Sequence, residues 1–279
     1  MAVDRHYENF PVASFLVPPA IRAYVVAIYR FARHADDVAD EGEADAESRL
    51  LQLDRLRCDI EALFRNDSVS APTVQMLAPL RDAHITGIEA QPFLDLLSAF
   101  SQDVRTQHYQ TYAELADYCR RSANPVGRLM LALAGVRDAA AIEASDRICT
   151  ALQLINFWQD AAIDATSGCG RIYVPQEDFV RNCVSADHFP NHPQHRELMR
   201  FQCERAHSLM LAGTPLLGVL RGRLRIEIAF TIAGGLRILE KIAGNDFDVR
   251  IRPTLRWYDS PRLILLALRA LLQPGRLSP

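Results

Sequence analysis

Tyr29-Arg30-Phe31-Ala32-Arg33-His34-Ala35-Asp36-Asp37-Val38-Ala39-Asp40 decides the fold class, because its residues repeat with the period of a helix rather than a strand. Tyr29, Arg33, Asp36 and Asp40 are spaced 4, 3 and 4. That spacing puts a phenol, a guanidinium and two carboxylates on one stripe, with Asp37 beside it. Upstream, Ile21, Val25, Ile28, Ala32 and Ala35 step along an apolar face from a Pro18-Pro19 start, and Asp40-Glu41-Gly42 ends the run. An acidic cluster is usually solvated surface. Here three aspartates gather at the C-terminal end of a helix, where the macrodipole is negative and carboxylates are disfavoured. A bound cation would resolve the conflict.

A second stripe repeats the logic. Gln153, Asn156, Asp160 and Asp164 are spaced 3, 4 and 4, with Leu152, Ile155 and Ile163 on the other side. Two such stripes on facing helices offer oxygen ligands to Mg²⁺, a hard cation that takes a few carboxylates together with water and phosphate oxygens. Zinc would need aligned His or Cys, and an EF-hand would need a D-x-D-x-D-G loop; neither pattern occurs.

The rest of the chain reads as helix. Few runs alternate with period 2, and no Asn-Gly or Asp-Gly hairpin turn occurs between β-branched segments. Helical stretches are predicted near 46–65, 73–85, 91–103, 111–134, 139–165, 191–212, 222–243 and 260–272. A kink is expected at Asn124-Pro125-Val126-Gly127, where proline removes a backbone donor, and a loop at Thr166-Ser167-Gly168-Cys169-Gly170-Arg171. The 279 residues, 49% of them hydrophobic, suffice for a single all-α domain spanning 1–279 around a central cavity.

Composition excludes other classes. Lys plus Arg is 31 against 34 for Asp plus Glu, a formal charge of −3, so there is no overall field to hold nucleic acid. The six cysteines are scattered, with no C-x-x-C pair and no zinc-site spacing, and read as reduced thiols, those within helices serving as small hydrophobes. Met1 to Phe10 lacks a secretory h-region, and Leu263 to Leu268 is too short to span a bilayer. A cytoplasmic protein is expected. The segment Pro261 to Leu272 leaves room for peripheral membrane contact, with core packing as the plainer alternative.

Taken together, the motifs resemble those of the squalene and phytoene synthases. Ala27 through Asp40 is similar to their first aspartate motif, and Gln153 through Asp164 followed by Gly170-Arg171-Ile172-Tyr173-Val174-Pro175-Gln176-Glu177-Asp178 to their second. Tyr118-Cys119-Arg120-Arg121-Ser122-Ala123-Asn124-Pro125-Val126-Gly127 falls at the family's kinked pocket helix. The resemblance covers nearly the whole chain and implies the isoprenoid synthase fold. It implies a catalytic set of Tyr29, Arg33, Asp36, Asp40, Asn156, Asp160 and Asp164, the carboxylates and Asn156 holding Mg²⁺. His6, Asn9, Tyr118, Gln153, Arg171, Tyr173 and Arg252 would contact a prenyl diphosphate substrate, although Asn9 stands where a serine is common.

Two departures point to one branch. Gln159 replaces an arginine that many members carry immediately before the aspartate at 160, and Gly235 replaces a tyrosine frequent in condensing members, which would open space and remove a hydroxyl, with helix packing alone at Gly234-Gly235 as an equal alternative. With His6 through Ser14, these features look like the bacterial hopanoid branch that converts presqualene diphosphate to hydroxysqualene, a lyase reaction in which water captures the cation. That branch implies functional coupling to a presqualene diphosphate synthase and a hydroxysqualene reductase. The alternatives are a head-to-head prenyltransferase using farnesyl or geranylgeranyl diphosphate and a non-enzymatic assembly protein on the same fold. Retention of both aspartate stripes argues against the last. His34, Trp158, His188, His192 and His195 are assigned no role.

Overall fold

The computed structural model describes residues 16–69, 71–83, 85–166 and 171–274, and within them the chain is all-α. In order the helices are α1 (Pro19–Asp40), α2 (Ala46–Phe64), α3 (Pro72–Gln75), α4 (Ala78–Asp82), α5 (Gln91–Asp103), α6 (Tyr112–Ser122), α7 (Asn124–Leu133), α8 (Ala139–Thr166), α9 (Gln176–Arg181), α10 (His195–Gly213), α11 (Leu216–Val219), α12 (Gly222–Gly244) and α13 (Ser260–Leu272). One isolated parallel bridge, His108 to Ile172, is the extent of β-pairing among the described residues.

Helix starts follow local chemistry. Asp45 caps α2 by accepting from the Ser48 amide at 2.7 Å. Thr111 caps α6 by accepting from the Glu114 amide, while the Glu114 carboxylate accepts from the Gln110 amide at 2.7 Å. The predicted helix at 73–85 forms as two short pieces, α3 and α4, because Pro79 begins a new helix and its missing N–H cannot continue the old one. Helix α10 starts at His195 rather than 191, and α9 and α11 were not anticipated.

The expected kink is the break between α6 and α7 at Ala123. The glycine that follows has its own job. A Cβ at Gly127 would lie 2.5 Å from Cys149 Sγ and 2.6 Å from Ser145 Oγ, so its lack of a side chain lets α7 press against α8. Asn124, buried, accepts a hydrogen bond from the Thr150 hydroxyl at 3.0 Å and fixes the register of the two helices.

Apolar side chains gather in two clusters. One joins α1 to α5 with Leu129 and Leu133 of α7; the other surrounds α8 with residues of α6 and α10 to α13. Met130 packs against both. Helix α8 runs through the second cluster, in contact with α6, α7, α10, α11 and α12. The ends of α1, α5 and α8 meet at the seam between the clusters, and the polar residues lie there.

Candidate diphosphate and metal site

A cleft of about 420 Å³ opens at this seam, bordered by Asp40 of α1, Arg49 of α2, Asp103 of α5, Asp164 of α8, and Arg171 and Tyr173 beyond it. Helix α1 buries Val25, Ile28, Phe31, Ala35 and Ala39, which leaves the Tyr29-Arg33-Asp36-Asp40 stripe less buried. Arg33 draws the local carboxylates together, donating to Asp36 at 3.0 Å, lying 2.7 Å from Asp37 and reaching Glu41 at 3.0 Å. Burial, then the neighbouring Asp40, push the Asp36 carboxyl up to about 6 despite Arg33.

Helix α1 ends where the sequence predicts, but its last carbonyls are satisfied by a residue that sequence reasoning missed. Arg49 of α2 donates to the carbonyls of Val38 at 3.3 Å and Ala39 at 2.7 Å, and to that of Gly42, just beyond the helix, at 2.8 Å. A cation there offsets the negative end of the helix dipole beside Asp40. Arg49 gives no motif signal; an arginine a few residues past a helix C-terminus is too common to single out.

On α8, Asp164 is pushed up to about 7 by burial first, then by Asp160, with Asp40 adding to the effect. The two stripes therefore act on each other across the cleft. Asp160 forms a two-pronged ion pair with Arg252, whose Nη2 donates to Oδ2 at 3.2 Å. Asn156 and Gln153 sit half-buried on the same stripe. Gln159, 1% exposed, points elsewhere: its amide donates to the Pro253 carbonyl and so braces the segment carrying Arg252.

Arg171 and Tyr173 are placed by backbone. Ile172 N–H donates to the Gln107 carbonyl at 2.9 Å and Gln176 N–H to the Tyr109 carbonyl at 2.9 Å, clipping residues 172–176 alongside 107–109. Arg171 then donates to the Asp40 carboxylate at 3.1 Å, to the Asp103 carbonyl at 2.9 Å and to the Tyr173 hydroxyl at 3.2 Å. Burial works against its charge, yet Tyr173, Asp40 and Asp103 raise its pKa above the ordinary value. Tyr173 stacks on Phe157 with centroids 3.6 Å apart, and Tyr109 and Tyr118 complete the aromatic group.

Asp103 is the second residue that sequence reasoning missed. It is 6% exposed, accepts a hydrogen bond from the Tyr118 hydroxyl at 2.6 Å, and its carboxyl is pushed up to about 7 by burial despite Tyr118 and Arg171. The one available signal was Asp103 closing a helix of apolar residues, Phe93, Leu96, Leu97 and Phe100, at a core-facing spacing. Of the sequence-predicted residues, Tyr29, Arg33, Asp36 and Asp40 share the α1 stripe; Gln153, Asn156, Asp160 and Asp164 share the α8 stripe. Arg171, Tyr173, Tyr118 and Arg252 adjoin them, and His6 and Asn9 lie outside the described residues.

Gly235 does not open space. A Cβ there would lie 2.8 Å from Met210 Cε and 3.2 Å from Ile155 Cδ1 and Leu152 Cδ2, so neighbouring side chains occupy the room a larger residue would need.

The donor set, carboxylates with amide oxygens and neither His nor Cys, fits a hard divalent cation, as do the burial and, after it, the carboxylate repulsion that raise Asp36 and Asp164. Among the described residues no three carboxylate, His or Cys side chains are already gathered around one point. Arg33, Arg171 and Arg252 engage the carboxylates instead.

The squalene/phytoene synthase family profile matches residues 3–259. The chain belongs to this family. It is 33% identical over 243 residues to the hydroxysqualene synthase of Sinorhizobium fredii, covering 86% of this chain and 80% of that one. Against the hydroxysqualene synthase of Zymomonas mobilis it is 40% identical over 170 residues, 61% of this chain and 55% of that protein. The crystal structure of squalene synthase HpnC from Alicyclobacillus acidocaldarius superposes with a TM-score of 0.78 at 32% identity, covering 87% of this chain and 90% of that one. The predicted isoprenoid synthase fold is therefore the observed one. No helix among the described residues is long and apolar enough to cross a membrane.

Proposed function

We propose that this family member is a hydroxysqualene synthase that ionises presqualene diphosphate and captures the rearranged cation with water. The bond between carbon and the diphosphate oxygen breaks with its electron pair on oxygen. A water oxygen then forms the new C–O bond and releases one proton. The products are hydroxysqualene and diphosphate. When bound, Mg²⁺ neutralises the departing diphosphate and makes it a better leaving group.

The chain's own residues would divide the remaining work. Asp36 and Asp40 on α1, with Asn156, Asp160 and Asp164 on α8, would hold the metal, and Arg33, Arg171 and Arg252 would bind diphosphate oxygens from three directions. Guanidinium groups suit this role because their planar forks match phosphate geometry. Tyr29, Gln153 and Tyr118 would contact substrate from the same two stripes and from α6. Tyr173, stacked on Phe157, presents an aromatic face at the cleft and keeps Arg171 oriented through its hydroxyl.

The observation that carries this reading over condensation is Gln159. Where many family members have an arginine, this residue is buried, uncharged and committed to the Pro253 carbonyl, so the position next to Asp160 supplies no cation. A site that must ionise one diphosphate needs fewer cations than one that binds two allylic diphosphates at once. The resemblance to hydroxysqualene synthases over most of the chain supports the same choice.

Incubation of purified protein with Mg²⁺ and presqualene, farnesyl or geranylgeranyl diphosphate, each alone, in ¹⁸O-labelled water, tests it. Labelled hydroxysqualene from presqualene diphosphate is the expected product. Squalene, phytoene or presqualene diphosphate formed from farnesyl or geranylgeranyl diphosphate alone would overturn the assignment in favour of a prenyltransferase. Diphosphate-analogue binding that ignores Mg²⁺, with no turnover of either substrate, would favour an assembly protein.

A further inference from the structure

Far along the chain from the aspartates, Ile264, Leu265, Leu268 and Leu272 form the outer face of α13 and are 49%, 41%, 50% and 79% exposed. Leu266, Ala267 and Ala270 bury the opposite face. The spacing of the exposed residues makes a continuous apolar stripe. Helix α12 extends it. Arg225 near the α12 start donates to the Leu271 carbonyl at 2.9 Å, and Arg262 at the α13 start pairs with Glu240 near the α12 end, so the two helices run antiparallel. Exposed Ile226 and Phe230 of α12 thereby lie toward the end of α13 that carries Leu268 and Leu272.

Two further features surround this surface. At the start of α13, Trp257 and Tyr258 stand 85% and 55% exposed, an aromatic pair of the kind that settles at headgroup level. Arg221, Arg223, Arg256 and Arg269 are exposed around the apolar stripe. Among the acidic groups close by, Asp259 is buried and held by Arg237 and Lys241, and Glu240 by Arg237 and Arg262; Glu227 on α12 and Glu204, which borders the same groove as Arg269, are outnumbered by the four exposed arginines. The rim is therefore cationic although the whole chain carries −3.

We propose that the α12–α13 face docks on an anionic lipid bilayer surface, with α13 lying in the headgroup plane. Its leucines would enter the acyl boundary, Trp257 and Tyr258 would sit at the interface, and the arginines would meet lipid phosphates. A second copy of the chain is a poorer occupant, because two-fold pairing of this face would set the same arginines against one another. The proposal rests on exposure and charge alone and stands independently of the reaction assigned above.

The two tryptophans supply the readout, since Trp158 is 1% exposed and Trp257 is 85% exposed. The full chain is mixed with phosphatidylcholine vesicles, with or without phosphatidylglycerol, and followed by flotation and by tryptophan emission. Phosphatidylglycerol vesicles are expected to float the protein and shift its emission to the blue. Trp257→Phe should abolish the shift while the protein still floats. Arg223→Glu and Arg269→Glu should each weaken binding about fivefold or more. Leu268→Ser with Leu272→Ser should weaken it by at least about tenfold. Circular dichroism melts identify any variant that misfolds, and the arginine variants leave the apolar packing intact. Absence of flotation with phosphatidylglycerol, or binding unchanged in the leucine and arginine variants, overturns the proposal. So does a dimer in sedimentation equilibrium that the Leu268→Ser, Leu272→Ser pair dissociates, which would assign the face to a second copy.

Discussion

The Arg171 guanidinium donates to the Asp40 carboxylate at 3.1 Å, fastening the segment after the α8 aspartates to the end of α1. In the free protein this cation neutralises part of the carboxylate cluster; in the proposed reaction it would turn to the diphosphate. Arg171→Ala is expected to lower kcat by about 10²–10³-fold, the scale of losing one preorganised charge partner in an active site. Arg171→Lys should recover only part, because an ammonium cannot reproduce three simultaneous contacts to Asp40, the Asp103 carbonyl and Tyr173. Steady-state kinetics with far-ultraviolet circular dichroism checks both, and wild-type turnover by Arg171→Ala would remove Arg171 from the site.

Asp36→Ala and Asp160→Ala should abolish turnover without changing helicity. Their stabilities should also separate metal binding from folding. Burial and Asp40 disfavour the ionised Asp36 carboxylate, so Asp36→Ala should not destabilise the metal-free protein at pH 8. Added Mg²⁺ should raise the melting temperature of the wild type and not of Asp36→Ala, as ligand binding to the native state alone requires. A metal-induced rise of equal size in both proteins would exclude Asp36 as a ligand.

Gln159→Arg restores the residue many relatives carry, but here it places a cation at a position 1% exposed and removes the bond to the Pro253 carbonyl. Arg252, already paired with Asp160, lies on the adjoining segment. The expected result is destabilisation of about 2–4 kcal/mol, within the range for an uncompensated buried charge. Thermal melts check this, and no gain of condensing activity should accompany it. A variant as stable as wild type that condensed farnesyl diphosphate would show that Gln159 alone separates the two reactions.

Most of the candidate site was legible in the sequence because its residues lie at helical spacing on two long helices, where i, i+3 and i, i+4 positions necessarily share a face. Tyr29 through Asp40 and Gln153 through Asp164 are of that kind. Arg49 and Asp103 were not legible, since each enters the cleft only through the packing of α2 and α5 against α1. The break at Asn124-Pro125 was visible from proline's missing donor. The reason for Gly127 was not, since only the close approach of Ser145 and Cys149 reveals it. The split of 73–85 into α3 and α4 needed more weight on Pro79 than periodicity allowed. At Gly235 the sequence leaves open space and helix packing as equal readings, and the close approach of Met210, Ile155 and Leu152 favours packing, because a sequence names the missing side chain and not the Met210 that takes its place.

That relationship is testable. Gly235→Ala brings its Cβ to 2.8 Å from the mobile end of Met210, which can swing aside, and gains about 1 kcal/mol of helix propensity, so its stability should stay close to wild type. Gly235→Tyr should cost about 1–3 kcal/mol or more through overpacking against Met210, Ile155 and Leu152. Combining Gly235→Tyr with Met210→Ala should cost less than the sum of the single changes, the signature of two side chains competing for one volume. Strict additivity in denaturant melts would mean they do not compete.

Asp103 gives the pH dependence its sign. Its carboxyl rises from 3.8 to about 7 in the native protein, with burial the largest cause, so the native state holds a proton that the unfolded chain releases. Stability from this group is fully present below about pH 4 and is lost as pH rises through about 7, at a slope approaching 1.4 kcal/mol per pH unit between those limits. Asp103→Asn keeps an oxygen for the Tyr118 hydroxyl but cannot ionise. The stability of Asp103→Asn relative to wild type should therefore increase from pH 5 to pH 7 and level off above it. Denaturant unfolding across that range measures the difference directly. A pH-independent difference would mean that Asp103 is ionised throughout and held by Arg171, and the cleft would then carry one more negative charge against the diphosphate.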